Sequence, residues 1–382
     1  MKTSSLDDVD AMHAISPHEI PVVILDITHD VIRAAYAIDH RSVPMVRSSK
    51  ARAIANERER ALFVRSLTSR QGVANEEVLE MVIRRALYDD VGVIRNGEGY
   101  VLCVERASAS AGTREDATRM MFEEFNVAGL AFVDASAMAM YACGKLTGVS
   151  AEVTEDWSEV TCAVDGAAHA WTWRRAKRGG RVMDRAMRRA IEEKQGVDVG
   201  EDVARAIRVA HGKCAGSREE YEALTSGETA VEPETFVLPN GAELKLTSEV
   251  YACGEALMCD DFVFDEGEGG DGDHSGSLPT EICESVQKCA LETRQLVLDN
   301  VFVHGEASRL PGLEARLLAE LQSRLSLVPT MTTIPEYMPA STYEHAAWTG
   351  AAIASKVIFS SNQYITKTDY NENGPAFAHS KR

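Results

Sequence analysis

Apolar runs and helical patterns alternate along the whole length of this 382-residue chain. Residues 21–25 and 31–36 are short apolar runs on either side of a polar turn, so they predict two antiparallel strands. Residues 100–104 predict another buried strand and residues 114–125 a helix. Residues 130–133 predict a further strand, which leads into a helix rich in Ala and Met. This order of strands and helices predicts a mixed α/β fold.

A second unit of similar order begins after Gly148. Residues 160–164 and 168–173 predict a hairpin joined by Asp165 and Gly166, and a helical pattern follows at 182–193. A hairpin that opens an α/β unit therefore occurs twice. This recurrence suggests two related lobes.

The carboxyl-terminal residues form two helical patterns. Residues 348–359 predict a helix whose Gly and Ala positions let another backbone approach closely. The segment from Ile365 predicts a second, short helix, which ends at Gly374 and Pro375.

Composition and charge limit the classes of protein that the chain can belong to. Its 45% hydrophobic and 26% charged residues are typical of a globular protein. The net charge of −19 argues against general nucleic-acid binding, which needs a cationic surface. The sequence shows neither a secretion signal nor an apolar run of about 18 residues, so we expect a soluble intracellular protein. The 8 cysteines are scattered, and we expect reduced thiols rather than a zinc site.

Two local features leave alternatives open. A group of basic residues is either a solvated hairpin tip and helix face or a docking surface for an acidic partner; it consists of Arg174, Arg175, Lys177, Arg178, Arg181, Arg185, Arg188 and Arg189. Trp171 and Trp173 alternate with Thr172, so we expect both to lie on one side of a strand. They are either packing residues or partner contacts.

The stretch from Trp348 to Pro375 closely resembles the carboxyl-terminal signature of actin and the actin-related proteins. Residues 120–126, 141–148 and 304–312 also resemble actin in the expected order. The resemblance extends from about residue 20 to the carboxyl terminus, and it is weakest between about 40 and 115. It implies a bilobal actin-like fold of the ribonuclease H-like type, in which two related α/β domains flank a central cleft.

The resemblance also implies a division of the chain. We expect a flexible amino terminus at 1–19, a first lobe from 20–148 and 336–382, and a second lobe from 149–335. The first lobe would carry a reduced outer subdomain at about 45–72, and the second an acidic, glycine-rich insertion at 264–276.

In actins, two glycine-containing turns bind the phosphates of ATP, because backbone N–H groups must approach them closely. The resemblance places Asp26, Thr28 and Asp30 in the first turn, with Arg33 at the position of the family's Lys. Both glycines of that turn are absent here. Asp30 adds a negative charge that would oppose a bound polyphosphate.

The second turn corresponds to Glu152, Thr154 and Asp156, and it also lacks glycine. The family's water-positioning Gln falls on Ala135, and the His that helps to position the attacking water falls on Glu159. ATP hydrolysis needs a group that orients water toward the γ-phosphate, and an alanine side chain has no such group.

On the adenosine side, the resemblance gives Arg208, Gly305 and Glu306, of which only Gly305 keeps the family's residue type. We therefore expect a degenerate ATP cleft, no catalytic residue and no metal site. No cofactor is expected; ATP or ADP with Mg²⁺ is the alternative.

The expected function is that of a non-hydrolysing actin-related protein, a structural subunit of a cytoskeletal or motor-associated complex of the dynactin-like or axonemal kind. One alternative is a nuclear subunit of a chromatin-remodelling complex; another is an ATP-binding, filament-forming actin-like ATPase or a related sugar kinase. The expected partners are other protein subunits, with actin and actin-related proteins among the candidates, and neither nucleic acid nor a membrane. The expected location is the cytoplasm and cytoskeleton, including the flagellum, with the nucleus as the alternative.

Overall fold

The two larger sheets of the described residues belong to different units. The computed structural model describes residues 21–28, 32–37, 45–46, 80, 83–92, 99–262 and 276–381. One unit is formed by Met1–Ala142 with Ala347–Arg382, and the other by Cys143–Ala346. The boundaries expected from the sequence, 148/149 and 335/336, lie close to these two changes of unit and stay predictions of domain limits.

The strands are, in chain order, β1 (Val22–Ile27), β2 (Ile32–Tyr36), β3 (Met45–Val46), β4 (Tyr100–Glu105), β5 (Gly129–Asp134), β6 (Gly148–Val153), β7 (Ser158–Val164), β8 (Ala167–Ala168), β9 (Arg174–Ala176), β10 (Glu234–Val237), β11 (Glu243–Leu246), β12 (Val301–His304) and β13 (Ile365–Thr366).

The α-helices are, in chain order, α1 (Ala111–Glu123), α2 (Ala135–Ala142), α3 (Gly180–Gln195), α4 (Glu201–His211), α5 (Arg218–Ser226), α6 (Ala252–Met258), α7 (Leu278–Gln287), α8 (Leu291–Leu298), α9 (Leu313–Arg324), α10 (Ala346–Ser360) and α11 (Lys367–Asn373). A π-helical turn runs over Arg85–Asp90, and short 3₁₀ turns run over Ala170–Thr172, Ser248–Tyr251, Ala340–Tyr343 and Pro375–His379.

The sheet of the first unit has the strand order β13-β5-β4-β1-β2-β3. β1 lies between an antiparallel neighbour, β2, and a parallel neighbour, β4. Consecutive residues of β1 are buried, so its side chains are covered on both faces of the sheet. This explains why the sequence shows an unbroken apolar run here rather than an alternating one.

The larger sheet of the second unit contains five strands in the order β12-β6-β7-β8, with β9 also paired to β7. The antiparallel pair β10–β11 forms a second, two-stranded sheet in this unit. β6 and β7 form an antiparallel hairpin, and β12 is parallel to β6. Both predicted hairpins, β1–β2 and β6–β7, are therefore present. The predicted α/β fold is confirmed.

Both predicted carboxyl-terminal helices are present, but the second begins at Lys367 rather than Ile365, because Ile365 and Thr366 form β13 and pair with β5. α10 contains Gly350, where an added β-carbon would lie 1.7 Å from the carbonyl oxygen of Met138, so another backbone does approach at this position. α11 begins with a capping box between Thr366 and Asp369. It ends at Asn373, and the next residue, Gly374, has a φ of +73°.

Several expectations lie outside the described residues. These are the amino terminus at 1–19, the outer subdomain at about 45–72 apart from β3, and the insertion at 264–276 apart from Gly276. Within the part of the chain that the structure describes, no helix is both long and apolar enough to cross a membrane.

Candidate functional site

The candidate residues lie in both units. In the first unit, Asp26 lies near the end of β1 directly opposite Arg33 on β2. Its carboxylate is 3.1 Å from Arg33 Nη1 through one oxygen and 2.9 Å from Arg106 Nη1 through the other. All but 1% of the Asp26 side chain is buried. A buried carboxylate is thus held between two guanidinium groups.

The two arginines decide the charge state of Asp26. Burial alone would raise the pKa of this carboxyl, but the charges of Arg106 and Arg33 outweigh burial and hold its pKa below the ordinary value. Arg33 therefore keeps the positive charge that the sequence assigned to it and pairs it with Asp26. Thr28 is buried just beyond β1, and Asp30 lies outside the described residues.

In the second unit, the turn between β6 and β7 is closed by the hydroxyl of Thr154. This oxygen accepts hydrogen bonds from the backbone N–H groups of Asp156 at 3.3 Å and Trp157 at 3.2 Å. It donates its own proton to the carbonyl oxygen of Trp157 at 2.9 Å. A side chain of the turn therefore satisfies backbone donors that, in a glycine turn, would point at a phosphate.

Glu155, the next residue of the turn, is the centre of a buried group of charges. Its carboxylate is 3.0 Å from Arg205 Nη2 and 3.2 Å from Arg208 Nη2, both on α4. Arg208 also donates from Nε to Asp184 Oδ1 at 2.6 Å. Burial raises the pKa of Asp184, and the hydrogen bond from Arg208 offsets this only in part. The predicted base-side residue Arg208 is thus bound to two carboxylates of its own unit.

The remaining carboxylates of this region also contact arginines. Asp156 is 3.0 Å from Arg181, an exposed residue at the start of α3. Glu159, at the position of the family's His, accepts from Arg175 Nε at 2.6 Å. The Arg175 guanidinium lies 4.2 Å from the ring centre of Trp157, in cation–π contact.

Glu152 is buried at the end of β6, opposite Glu159 on β7 and beside His304 on β12. His304 Nε2 lies 2.8 Å from the Ser150 hydroxyl, so this pair of polar side chains is hydrogen-bonded in the core. Among the described residues, no group of three or more His, Cys, Asp or Glu side chains could hold a metal ion.

Gly305 follows β12 and is required by the packing of the second unit. Its φ is +104°, and an added β-carbon would lie 2.4 Å from the carbonyl oxygen of Val153. The same carbonyl accepts a hydrogen bond from Ala307 N at 3.0 Å. Glu306, between them, is half-buried. The persistence of this glycine is therefore explained without a bound adenosine.

The residues at the positions of the family's two phosphate turns contact other groups of the protein. The Thr154 hydroxyl accepts hydrogen bonds from backbone N–H groups of the second turn, and Glu155 forms ion pairs with the two guanidinium groups on α4. In the first unit, Asp26 forms ion pairs with Arg33 and Arg106. The structure thus brings together Thr154, Asp156, Arg208 and Gly305 in one unit, and it shows their side chains or backbones in contact with protein groups.

Three partners in these networks were missed by the sequence reasoning: Arg106, Arg205 and Asp184. Arg106 directly follows β4, the parallel neighbour of β1, so its position in the sheet offered a signal. Arg205 and Arg208 are three residues apart on α4, a spacing that places two guanidinium groups on one helix face. No comparable signal points to Asp184.

Two expectations about nearby residues are wrong. The strand predicted over 168–173 is interrupted by the 3₁₀ turn Ala170–Thr172, because the buried Thr172 hydroxyl accepts a hydrogen bond from Cys162 N at 2.9 Å. Trp171 and Trp173 therefore do not share one face of a strand. Trp171 is 64% exposed, and Trp173 is half-buried near Arg175.

The basic group divides into buried and exposed residues. Arg174 is buried and donates to Glu281 at 3.0 Å. Arg178 is buried and donates to the carbonyl oxygens of Ala256 at 2.8 Å and Cys259 at 2.7 Å. Arg174 and Arg178 therefore join β9 and the segment after it to other parts of the unit. Arg181 and Arg189, on α3, are exposed, which agrees with the expected solvated helix face.

Comparison with known protein families settles the class of the chain. The family model described as Actin matches residues 17–382. This chain belongs to the actin family. The predicted family resemblance is confirmed, and the α/β fold described above is the actin-like fold that it implied.

The chain is similar to curated members of this family that carry the name actin-related protein 7. It is 26% identical over 377 residues to the proteins of Oryza sativa subsp. indica and Oryza sativa subsp. japonica, which covers 94% of this chain and 99% of each relative. It is 25% identical over 307 residues to the Arabidopsis thaliana protein, which covers 80% of this chain and 81% of that relative.

Proposed function

We propose that this actin-family chain is a structural subunit of a multiprotein assembly and that it does not hydrolyse ATP. The observation that carries the proposal is the second turn, where Thr154 accepts the N–H groups of Asp156 and Trp157. A phosphate would have to displace this hydroxyl. It would also have to compete with Glu155 for Arg205 and Arg208.

Electrostatics supports the same conclusion. Two unit charges 4 Å apart interact by about 4 kcal/mol at the effective dielectric constant of a protein surface. Glu155 already takes up the attraction of the two guanidinium groups and Asp156 that of Arg181, while Glu152 adds a further carboxylate beside the turn. A polyphosphate would therefore meet repulsion without a free cation to balance it in this network.

Hydrolysis also lacks its water-orienting group. Ala135 stands at the position of the family's Gln and is buried at the start of α2. A methyl group neither donates nor accepts a hydrogen bond, so it cannot hold a water in line with a γ-phosphate. At the other family position, that of the His, this chain has Glu159, which forms an ion pair with Arg175.

A role in an assembly does not need ATP hydrolysis, because the family fold can still present surfaces to other subunits. Two settings are in question, a cytoskeletal or motor-associated complex and a nuclear chromatin-remodelling complex. The acidic net charge of −19 motivated the first. The shared name of the relatives, actin-related protein 7, names neither a cytoskeletal nor a motor complex. A single experiment can therefore distinguish the two kinds of complex.

The test is affinity purification of the full-length chain, carrying an epitope tag, from cells that normally express it. We expect other subunits to co-purify in fixed stoichiometry, and quantitative mass spectrometry identifies them. Dynein, dynactin or axonemal subunits would support the cytoskeletal setting, and remodelling subunits the nuclear one. Recovery of the chain alone, or of a homopolymer that pellets in polymerising salt, would contradict the proposal.

A further inference from the structure

Trp171 is an exposed aromatic residue whose position is fixed by its neighbours. It lies in the 3₁₀ turn Ala170–Thr172 and is 64% exposed. Its ring stacks on that of His169, with 4.3 Å between the ring centres. The Thr172 hydroxyl holds the turn to β7, because it accepts a hydrogen bond from Cys162 N at 2.9 Å. A large apolar ring is therefore presented to solvent in a defined orientation, and such rings are common among the residues that dominate binding at protein interfaces.

The end of α7 packs beside this turn. The hydroxyl of Ser285, in the last turn of α7, is 3.4 Å from Cys162 Sγ, so α7 contacts the same strand that holds the turn. Lys288 comes directly after α7, is exposed, and donates from Nζ to the carbonyl oxygen of Trp173 at 3.4 Å. The Lys288 side chain therefore lies along the segment that carries Trp171.

Helix α8 follows after three residues and adds an apolar side chain and a second cation. Leu291, its first residue, is 77% exposed. Arg294 is three residues further along, on the same face of the helix. Its guanidinium donates to the carbonyl oxygens of Cys289 at 3.1 Å and Gln287 at 2.6 Å. The cationic groups of Arg294 and Lys288 thus both lie where α7 passes into α8.

These two cations are not neutralised within the part of the chain that the structure describes. Lys288 and Arg294 donate to carbonyl oxygens, and neither forms an ion pair with a carboxylate there. The nearby Glu284 is paired with Arg174. Glu292 lies on another face of α8 than Leu291 and Arg294 do. In a chain of net charge −19, two uncompensated cations beside exposed apolar side chains form a local exception.

We propose that Trp171, Lys288, Leu291 and Arg294 form a docking surface, the Trp171 surface, for an acidic segment of another subunit. Apolar side chains of that segment pack on Trp171 and Leu291, and its carboxylates pair with the two cations, which gives the contact its specificity. Two copies of this chain, each with a net charge of −19, repel one another, so a different subunit is the expected occupant. The inference rests on the proposed function, since the assembly supplies this partner.

Carbodiimide cross-linking of the purified assembly tests the Trp171 surface without any substitution. The reagent joins a lysine amine directly to a carboxylate that contacts it. We expect Lys288 in a cross-linked peptide with an Asp- or Glu-containing segment of another subunit, identified by mass spectrometry. Links from Lys288 only to this chain or to a second copy of it would overturn the proposal, and so would an assembly in which Lys288 stays unmodified.

Substitutions test the two components of the surface separately. W171A and K288E should each lower the recovery of the cross-linked subunit with the tagged chain at least ten-fold, because one removes the apolar ring and the other repels the carboxylates. The matched controls are V237A and K245E, which change another exposed apolar residue and another exposed lysine, on β10 and β11. Both should leave the recovery unchanged, and thermal unfolding checks that all four variants are folded.

The outcomes separate this inference from the proposed function. A wild-type chain that recovers no other subunit would contradict both. A wild-type assembly that persists unchanged in W171A and K288E would contradict the Trp171 surface alone.

Discussion

The carbonyl oxygen of Met138 lies 1.7 Å from the position that a β-carbon on Gly350 would occupy. Met138 is on α2 and Gly350 on α10, so the two helices of the first unit approach each other with backbone against backbone. No side chain larger than hydrogen fits at this position. The glycine in the carboxyl-terminal signature is thus explained by the packing of two helices.

Gly350→Ala should destabilise the protein by about 3 kcal/mol or more, because the added methyl group overlaps a backbone atom that cannot move independently. Denaturant unfolding of the purified chain measures the change. The matched control is Gly112→Ala on α1, where the nearest atom is an ordinary 3.7 Å away. That change should be neutral or stabilise by about 0.5 kcal/mol. Equal effects of the two substitutions would refute the close approach.

Asp26→Asn should destabilise the protein by about 3–5 kcal/mol at neutral pH, since it leaves Arg33 and Arg106 without their shared carboxylate. The control is Asp116→Asn, which removes an exposed ion pair with Arg119 and should cost less than about 1 kcal/mol. Urea unfolding of the three proteins at matched pH gives these differences.

The stability difference between wild type and Asp26→Asn should depend on pH. The folded-state pKa of Asp26 is lowered, so its contribution is fully present above the ordinary value of 3.8 and is lost as the pH falls through the folded-state pKa. The difference should therefore be constant from pH 7 down to about 5 and shrink below about 4. A difference that grows on acidification would contradict the ion pairs described here.

Thr154→Val tests the closure of the second turn. Valine keeps the shape of threonine but removes the hydroxyl that accepts from two backbone N–H groups. We expect a loss of about 1–3 kcal/mol in the free energy of unfolding, because those donors lose their partner. Thr154→Ser keeps the hydroxyl and should cost clearly less. If Val and Ser behave alike, the hydroxyl does not close the turn.

Much of the fold could be predicted from local patterns. The apolar run that became β1 and the glycine-limited helix α11 need only neighbouring residues for their interpretation. The carboxyl-terminal string gave the family because its residues keep a specific order and spacing. The helix–helix contact at Gly350 was also predictable, since a small residue in a helix lets the backbone of another helix approach closely.

The contacts of the candidate site could not be predicted in the same way. Asp26 and Arg106 are 80 positions apart in the chain, and Glu155 and Arg208 are 53 apart. The sequence shows that glycines are absent from both turns, yet it does not show what replaces their interactions. The segment at Trp171 was mispredicted because alternation favoured a strand, while the hydroxyl of Thr172 stabilises a turn.

The central claim is that the groups that would bind the phosphates of ATP form hydrogen bonds and ion pairs with the chain's own side chains. Isothermal titration of the full-length protein with Mg-ATP tests it most directly, with a conventional actin titrated under the same conditions as the positive control. We predict no saturable heat of binding, and therefore a Kd weaker than about 1 mM, or less than about 4 kcal/mol of binding free energy. Saturable binding with a micromolar Kd, about 8 kcal/mol, would contradict the account.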